Sequence, residues 1–234
     1  MKLFLGASLL PIISSKALQD FVERRDKFPG KCPEVYGKPF WNENESFYRK
    51  LWYIVTESPA LLNFGKSTCN RIQYRPAPFA FAPMVWTWHD GLTGEEDSFW
   101  LELWQTYEDT PPLPGSTRVI RPLTSGNMQL PDDTFYFLDT DNENFAYVWS
   151  CFNDPDADFH YPAMWIYNSH KYLEDIDEKD NEWVKAMDYL RFFNYEHVEE
   201  FSKIYHHIEN GKHCDDLEDQ YYKNQVEKKE FSDF

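Results

Sequence analysis

The chain has 234 residues, 42% hydrophobic and 27% charged, enough for one domain with a sizeable core. Forty acidic residues against 23 basic ones leave a formal net charge of −17. A surface that acidic repels phosphate backbones and argues against a nucleic-acid partner, and no segment beyond the N-terminus approaches the ~20 apolar residues of a membrane helix.

The chain opens with MKLFLGASLLPIISSKA. Lys2, an apolar run from Leu3 to Ile13 and small residues before Leu18 read as a secretory signal peptide over 1–17. Its removal leaves about 217 residues and, with Lys2 and Lys16 gone, a charge of −19. Export gives the cysteines a meaning. Four of them, Cys32, Cys69, Cys151 and Cys214, predict two disulfides, with three pairings open. They are too scattered for a CxxC metal knuckle. Residues 18–48 are polar, FPGKCP and YGKPF mark turns, and Asn44-Glu45-Ser46 is a glycosylation sequon at Asn44.

From Leu51 to Ser169, short β-branched and aromatic runs alternate with Gly, Pro, Asp and Asn breaks. This pattern predicts strands at 50–57, 68–75, 83–89, 98–107, 117–122, 134–140, 144–151 and 163–169, hence a β-barrel or sandwich. The TPPLPG loop (108–116) reads as a rim connection. In FLDTDNENFAYVWSC (137–151), the acidic, Asn-rich DTDNEN predicts a tight turn between two aromatic strands. FNDPDADFHY (152–161) reads as a long charged loop. Beyond it, Trp183, Val184, Met187 and Leu190 fall at helical spacing, which predicts a helix near 181–193 with Asp180 as its N-cap. EHVEEFSKIYHHI predicts a further helical turn or two. Residues 215–234 read as a charged, flexible tail. The elements make one domain over 18–214.

Eight strands closed into a barrel enclose room for side chains or one small ligand. Alternation puts Ile72 with Tyr74, Phe135 with Phe137, Tyr147 with Trp149, and Trp165 with Tyr167 on shared faces. In MVWTWHD the pattern does not choose between Trp86 with Trp88 and Val85 with Thr87. Aromatic stripes are the ordinary content of a core. Here, however, aromatic residues make 18% of the chain, and 9 Trp and 15 Tyr carry polar groups that want partners when buried. Those eight aromatic and aliphatic residues are the candidate ligand-binding set, suited to a flat apolar molecule with a polar group or two.

Three segments resemble the lipocalin family. FYRKLWYIV (47–55) resembles its Gly-x-Trp opening motif through Trp52, DTDNENFAYVWSC its Thr-Asp-Tyr turn, and AMWIYNS (163–169) its last strand. The cysteine spacing resembles that of apolipoprotein D and the insect bilin-binding lipocalins, and together with FPGKCPEV that of the crustacyanin-type lipocalins. Lys50 stands where the family keeps glycine, Asn142 where it keeps Tyr, and Ser169 where an Arg would stack on Trp52. The resemblance covers about residues 30–215. It implies an all-β fold, an eight-stranded antiparallel up-and-down β-barrel with one C-terminal α-helix packed outside. It implies the pairs Cys32–Cys151 and Cys69–Cys214, the first helping to shut one end, and a structural Trp52 at the closed end. It also implies a secreted, extracellular carrier of a small hydrophobic ligand: a carotenoid, bilin, retinoid, sterol or fatty acid.

No nucleophile–base constellation stands out. The cysteines are claimed by disulfides, and His206, His207, His213 and Cys214, though close in sequence, predict no metal site. Glu102 in FWLELW reads as outward, leaving Phe99, Leu101 and Leu103 to face in. The expectation is a binding protein without enzymatic activity, metal or cofactor. Two other readings stay open, a barrel enzyme acting on a lipid or xanthophyll and an interaction protein with a self-filled barrel, as does a homo- or hetero-oligomer.

Overall fold

The computed structural model describes residues 26–37, 47, 50–58, 68–74, 81–89, 96–105, 116–122, 133–154, 156–170, 176–210 and 214, with the backbone alone at 81–86, 88–89, 96–105, 116–122 and 133–134. The expected signal peptide (1–17), the Asn44 sequon, nearly all of the 108–116 loop, His213 and the 215–234 tail lie outside these residues.

Among the described residues the strands are β1 (Phe28–Pro29), β2 (Leu51–Ser58), β3 (Thr68–Tyr74), β4 (Phe81–His89), β5 (Glu96–Gln105), β6 (Ser116–Pro122), β7 (Asp133–Thr140), β8 (Phe145–Asn153), β9 (Phe159–Asn168) and β10 (His206–His207). From β2 to β9 each strand pairs antiparallel with the next, and β9 pairs again with β2. The sheet thus closes into an eight-stranded up-and-down barrel, with no free edge along those pairs.

Two connections follow directly from side-chain chemistry. At the β7–β8 turn, Asp141 Oδ1 accepts the backbone N–H groups of Glu143 (2.9 Å), Asn144 (2.7 Å) and Phe145 (3.2 Å). Asn142 adopts φ 64°, a left-handed conformation that Asn tolerates better than most residues. The β8–β9 connection is shorter than expected. Both ends of FNDPDADFHY belong to strands, where Phe152 and Tyr161 stand opposite one another with their rings stacked at 6.1 Å. Asp154 then organises the bend, accepting from the Asp156 N–H and the Tyr161 hydroxyl, both at 2.9 Å.

Helix α1 (Ile176–Phe192) lies on the outside of the barrel. Its buried stripe is Trp183, Ala186, Met187 and Leu190, at spacings of three and four residues that fall on one helical face. Val184, expected on that stripe, is 54% exposed, and Ala186 takes the place. The helix also starts five residues earlier than expected. Asp180 is therefore inside it, not its N-cap, and its carboxylate takes the Tyr205 hydroxyl at 2.8 Å and lies 3.0 Å from His207 Nε2. Asn194, at φ 56°, ends the helix, with the Tyr195 N–H reaching back to the Leu190 carbonyl at 2.9 Å. The expected further helical turn is α2 (Val198–Phe201).

After α2 the chain returns to the barrel. β10 pairs with Thr56 and Glu57 of β2, while β3 pairs with β2 only at Leu51–Tyr53. The Asn210 side-chain amide donates to the Ile54 carbonyl at 2.8 Å, and the Cys69 N–H donates to the Glu209 carbonyl at 3.0 Å. Disulfide Cys69–Cys214 fastens this segment, and Cys32–Cys151 fastens the N-terminal segment.

Candidate functional site

Which residues look inward follows from the ladder, because directly opposed residues share a face. On the outside, Tyr53, Val55, Leu138, Met164 and Ile166 pack in one cluster with Trp183, Met187 and Leu190 of α1. The inner face is the other parity. It carries the pairs Trp52–Ile72, Ile54–Tyr167, Phe137–Val148, Phe135–Ser150 and Val148–Trp165.

The inner residues form two levels. At one end, Phe47 inserts its ring against Trp52 (4.7 Å), Tyr74 (5.2 Å) and Phe137 (5.6 Å). The Trp52 indole donates to the Phe47 carbonyl at 3.0 Å, and all four rings are fully or almost fully buried. Burial pushes the Tyr167 phenol up, with the Tyr74 hydroxyl beside it working the other way. Higher up, Phe135 and Trp165 pack at 5.2 Å. Of the eight sequence-predicted ligand residues, Ile72, Tyr74, Phe135, Phe137, Trp165 and Tyr167 are buried on this inner parity.

Tyr147 and Trp149 are not. They stand opposite Ile166 and Met164 on the outer face. Trp149 packs edge-on to Tyr195 (5.5 Å) and Phe201 (5.4 Å), and Tyr147 donates its hydroxyl to Glu182 of α1. The expectation that they line the lumen is therefore corrected. β8 is apolar on both faces because the helix covers its outer one, so alternation alone could not say which stripe faces in. Tyr147 instead borders an outer cleft of about 590 Å³ between β7, β8 and α1, together with Leu138, Phe145, Tyr189 and Phe193. In that cleft burial and the hydrogen bond to Asp139 push the Tyr189 phenol up to about 12.

Sequence reasoning missed the inward Ile54, Val148 and Ser150, and with them an inward acid, Glu57. In LWYIVTES, simple alternation groups Trp52, Ile54 and Thr56, which would put Glu57 on the outer face. A β-bulge between Ile54 and Thr56 shifts the register against β9 by one residue. Thr56 then stands opposite outward Ile166, and Glu57 opposite inward Trp165. Glu57 is fully buried, and its Oε1 lies 3.0 Å from His206 Nε2. Burial raises the Glu57 carboxyl, opposed by the His206 contact. An acid in an apolar strand was the available signal; the bulge that turns it inward was not.

The histidines serve these contacts. His206 meets Glu57, and His207 lies between Thr56 Oγ1 and Asp180 Oδ1 at 3.0 Å from each. Among the described residues no group of three or more His, Cys, Asp or Glu is arranged to hold a metal ion. No described helix is long and apolar enough to cross a membrane.

No family model matches the sequence, and comparison with curated proteins by sequence finds no match. The structure does match solved ones. Insecticyanin from the tobacco hornworm Manduca sexta aligns with a TM-score of 0.58 at 18% identity, over 81% of this chain and 92% of its own. Lobster apocrustacyanin A1 aligns with a TM-score of 0.58 at 18% identity, over 80% and 93%. H1 crustacyanin from the lobster Homarus americanus gives 0.59 at 16%, over 80% and 92%. All three are lipocalins. This chain has the lipocalin fold.

Within the lipocalin fold the three sequence departures have local answers. Phe47 packs on Trp52, the partner that Arg at the Ser169 position would have stacked on. Lys50, in the place of glycine, donates to the Glu143 carbonyl at 2.7 Å and ties the start of β2 to the β7–β8 turn. Asn142, in the place of Tyr, supplies the left-handed residue of that turn. The Cys32–Cys151 bond does not sit at the Phe47 end. Cys151 pairs with Pro162 near the opposite end of β8, where the Cys32 N–H also donates to Asn153 Oδ1 at 2.8 Å. There it clamps the N-terminal segment to the outer wall.

Proposed function

We propose that this chain is a secreted carrier that holds one small hydrophobic ligand in the barrel lumen, with 18–214 as its mature domain and 215–234 as a tail. The observation that carries the reading is the inner parity of a closed eight-stranded barrel lined by Ile72, Tyr74, Phe135, Phe137, Trp165 and Tyr167. These six are the proposed ligand wall, with Trp52 structural beneath them. Two disulfides support an oxidising, extracellular setting. The lipocalin resemblance supports a carotenoid, bilin, retinoid, sterol or fatty acid as guest.

The mechanism is sequestration, with no bond made or broken. Apolar ligand surface leaves water for the lumen at roughly 25 cal/mol per Å². For ~25–40 heavy atoms at ~0.3 kcal/mol per atom, the affinity falls between micromolar and nanomolar. Native mass spectrometry with an absorbance scan on protein purified from its source tests this. Bound mass at one ligand per chain is the expected result.

One observation favours a second reading. Phe47 already fills the space between Trp52, Tyr74 and Phe137, so part of the lumen is occupied by the chain itself. If the filling continues, the barrel is an interaction scaffold. Tryptophan quenching titrated with retinol, a bilin and a fatty acid separates the two. Saturable quenching by any of them supports the carrier; none by all three, with no bound mass, removes it.

A further inference from the structure

Glu57 is an expensive residue to place where it is. It stands on the inner face of β2, fully buried, opposite Trp165. One carboxyl oxygen meets His206 at 3.0 Å; the other, Oε2, has no hydrogen-bond partner among the described residues. A buried acceptor left unmade is strongly unfavourable, so native structures rarely keep one without a use. Nor does it reach this position by default. The bulge in β2 turns Glu57 inward, and β10 is laid along β2 so that His206 stands beside it. Cys69–Cys214 and the Asn210 amide hold that strand in place.

The position along the barrel matters too. Trp52, Ile54 and Glu57 are successive inward residues of β2, and Phe47 plugs the Trp52 end. At about 3.3 Å per residue Glu57 lies about 15 Å above Trp52. An elongated guest with its apolar end on the aromatic plug presents its other end to Glu57 Oε2.

We propose that Glu57 is a specificity residue for the polar end of the guest, accepting a hydrogen bond from a hydroxyl or amine and disfavouring ligands that end in a carboxylate. An alcohol or protonated amine supplies the missing donor. A carboxylate sets a second acid against the first, and two carboxyls at hydrogen-bonding distance cannot both ionise without cost. The overall charge of −17 acts in the same direction.

The proposal rests on the carrier reading, and one titration series separates the two. The full chain is titrated by tryptophan quenching with all-trans-retinol, retinyl acetate and retinoic acid, which share one hydrocarbon and differ at the polar end. Retinol is expected to bind at least tenfold more tightly than either other probe. Glu57→Gln keeps shape and an acceptor but no negative charge, so it is expected to hold retinol within threefold and to gain about tenfold for retinoic acid. Glu57→Leu, which removes the acceptor, is expected to bind retinol and retinyl acetate alike. Equal affinity of the three probes for the parent chain, or a retinol preference that survives in both variants, overturns the role of Glu57 and leaves the carrier intact. No saturable quenching by any probe removes the carrier and the proposal with it.

Discussion

Single side chains decide the turn that joins β7 to β8. Asp141 is mostly exposed, and its slight burial pushes its carboxyl up. The hydrogen bonds from Asn144, Glu143 and Phe145 outweigh that and hold it near 2, against an ordinary 3.8. The ionised form is thus the one the fold prefers. Its contribution is complete above about pH 4, where the unfolded carboxyl is also ionised, and drains as pH falls towards 2. Asp141→Ala is expected to lower stability by about 1 kcal/mol at pH 7 in urea melts, on the scale of a lost cap. The difference from the parent chain should narrow between pH 4 and pH 2. A difference that stays constant over that range would refute the assignment.

At the level of elements, α1 is held by what it covers. Trp149 belongs to the same outer cluster, against Tyr195 just beyond α1 and Phe201 of α2. Trp149→Ala is expected to cost about 3–5 kcal/mol of stability, as truncated core aromatics do. Trp149→Phe, a milder change, is expected to leave ligand affinity within twofold, because the residue faces away from the lumen. A tenfold loss of affinity in the Phe variant would place Trp149 back inside. The returning segment is a second unit. Replacing both Cys69 and Cys214 by serine is expected to cost about 2–5 kcal/mol. Amide exchange should accelerate first at 206–210, where the backbone N–H of Ile208, donating to the Val55 carbonyl, and the side-chain bond of Asn210 tie the chain to β2. Uniform acceleration across the barrel would show instead that the bond stabilises the molecule only as a whole.

The described residues form a closed wall plugged by Phe47 at the Trp52 end, with a helix against the outside and one cystine on each of the two segments that flank the barrel strands. Closure gives the lumen its use, since an open sheet would leave the same aromatic residues facing water or another chain. A single ligand site per chain is the expected stoichiometry, with an affinity between micromolar and nanomolar on ligand-efficiency grounds. Isothermal titration with the ligand recovered from source protein checks both numbers, and a stoichiometry of two would point to the outer cleft beside Tyr147 and Tyr189 as well. Reducing the disulfides should lower the melting temperature, because each bond ties a distant segment to the barrel wall, Cys32 to β8 and Cys214 to β3.

Local chemistry settled much of this protein in advance. Strand positions from Leu51 onwards followed from runs broken by turn residues, and the β7–β8 turn followed from Asp141 and Asn142. These are short-range effects, and the residues that cause them stand next to one another in the chain. The direction of each stripe was a different matter. Alternation separates two faces only when one is polar. In β8 the helix makes the outside as apolar as the inside, so Tyr147 and Trp149 carried no mark of which way they point. In β2 one bulged residue reversed the parity, turned Glu57 from the surface to the lumen, and set it beside a histidine 149 positions away. Both outcomes depend on pairing and packing between distant segments, and no window along the sequence contains them.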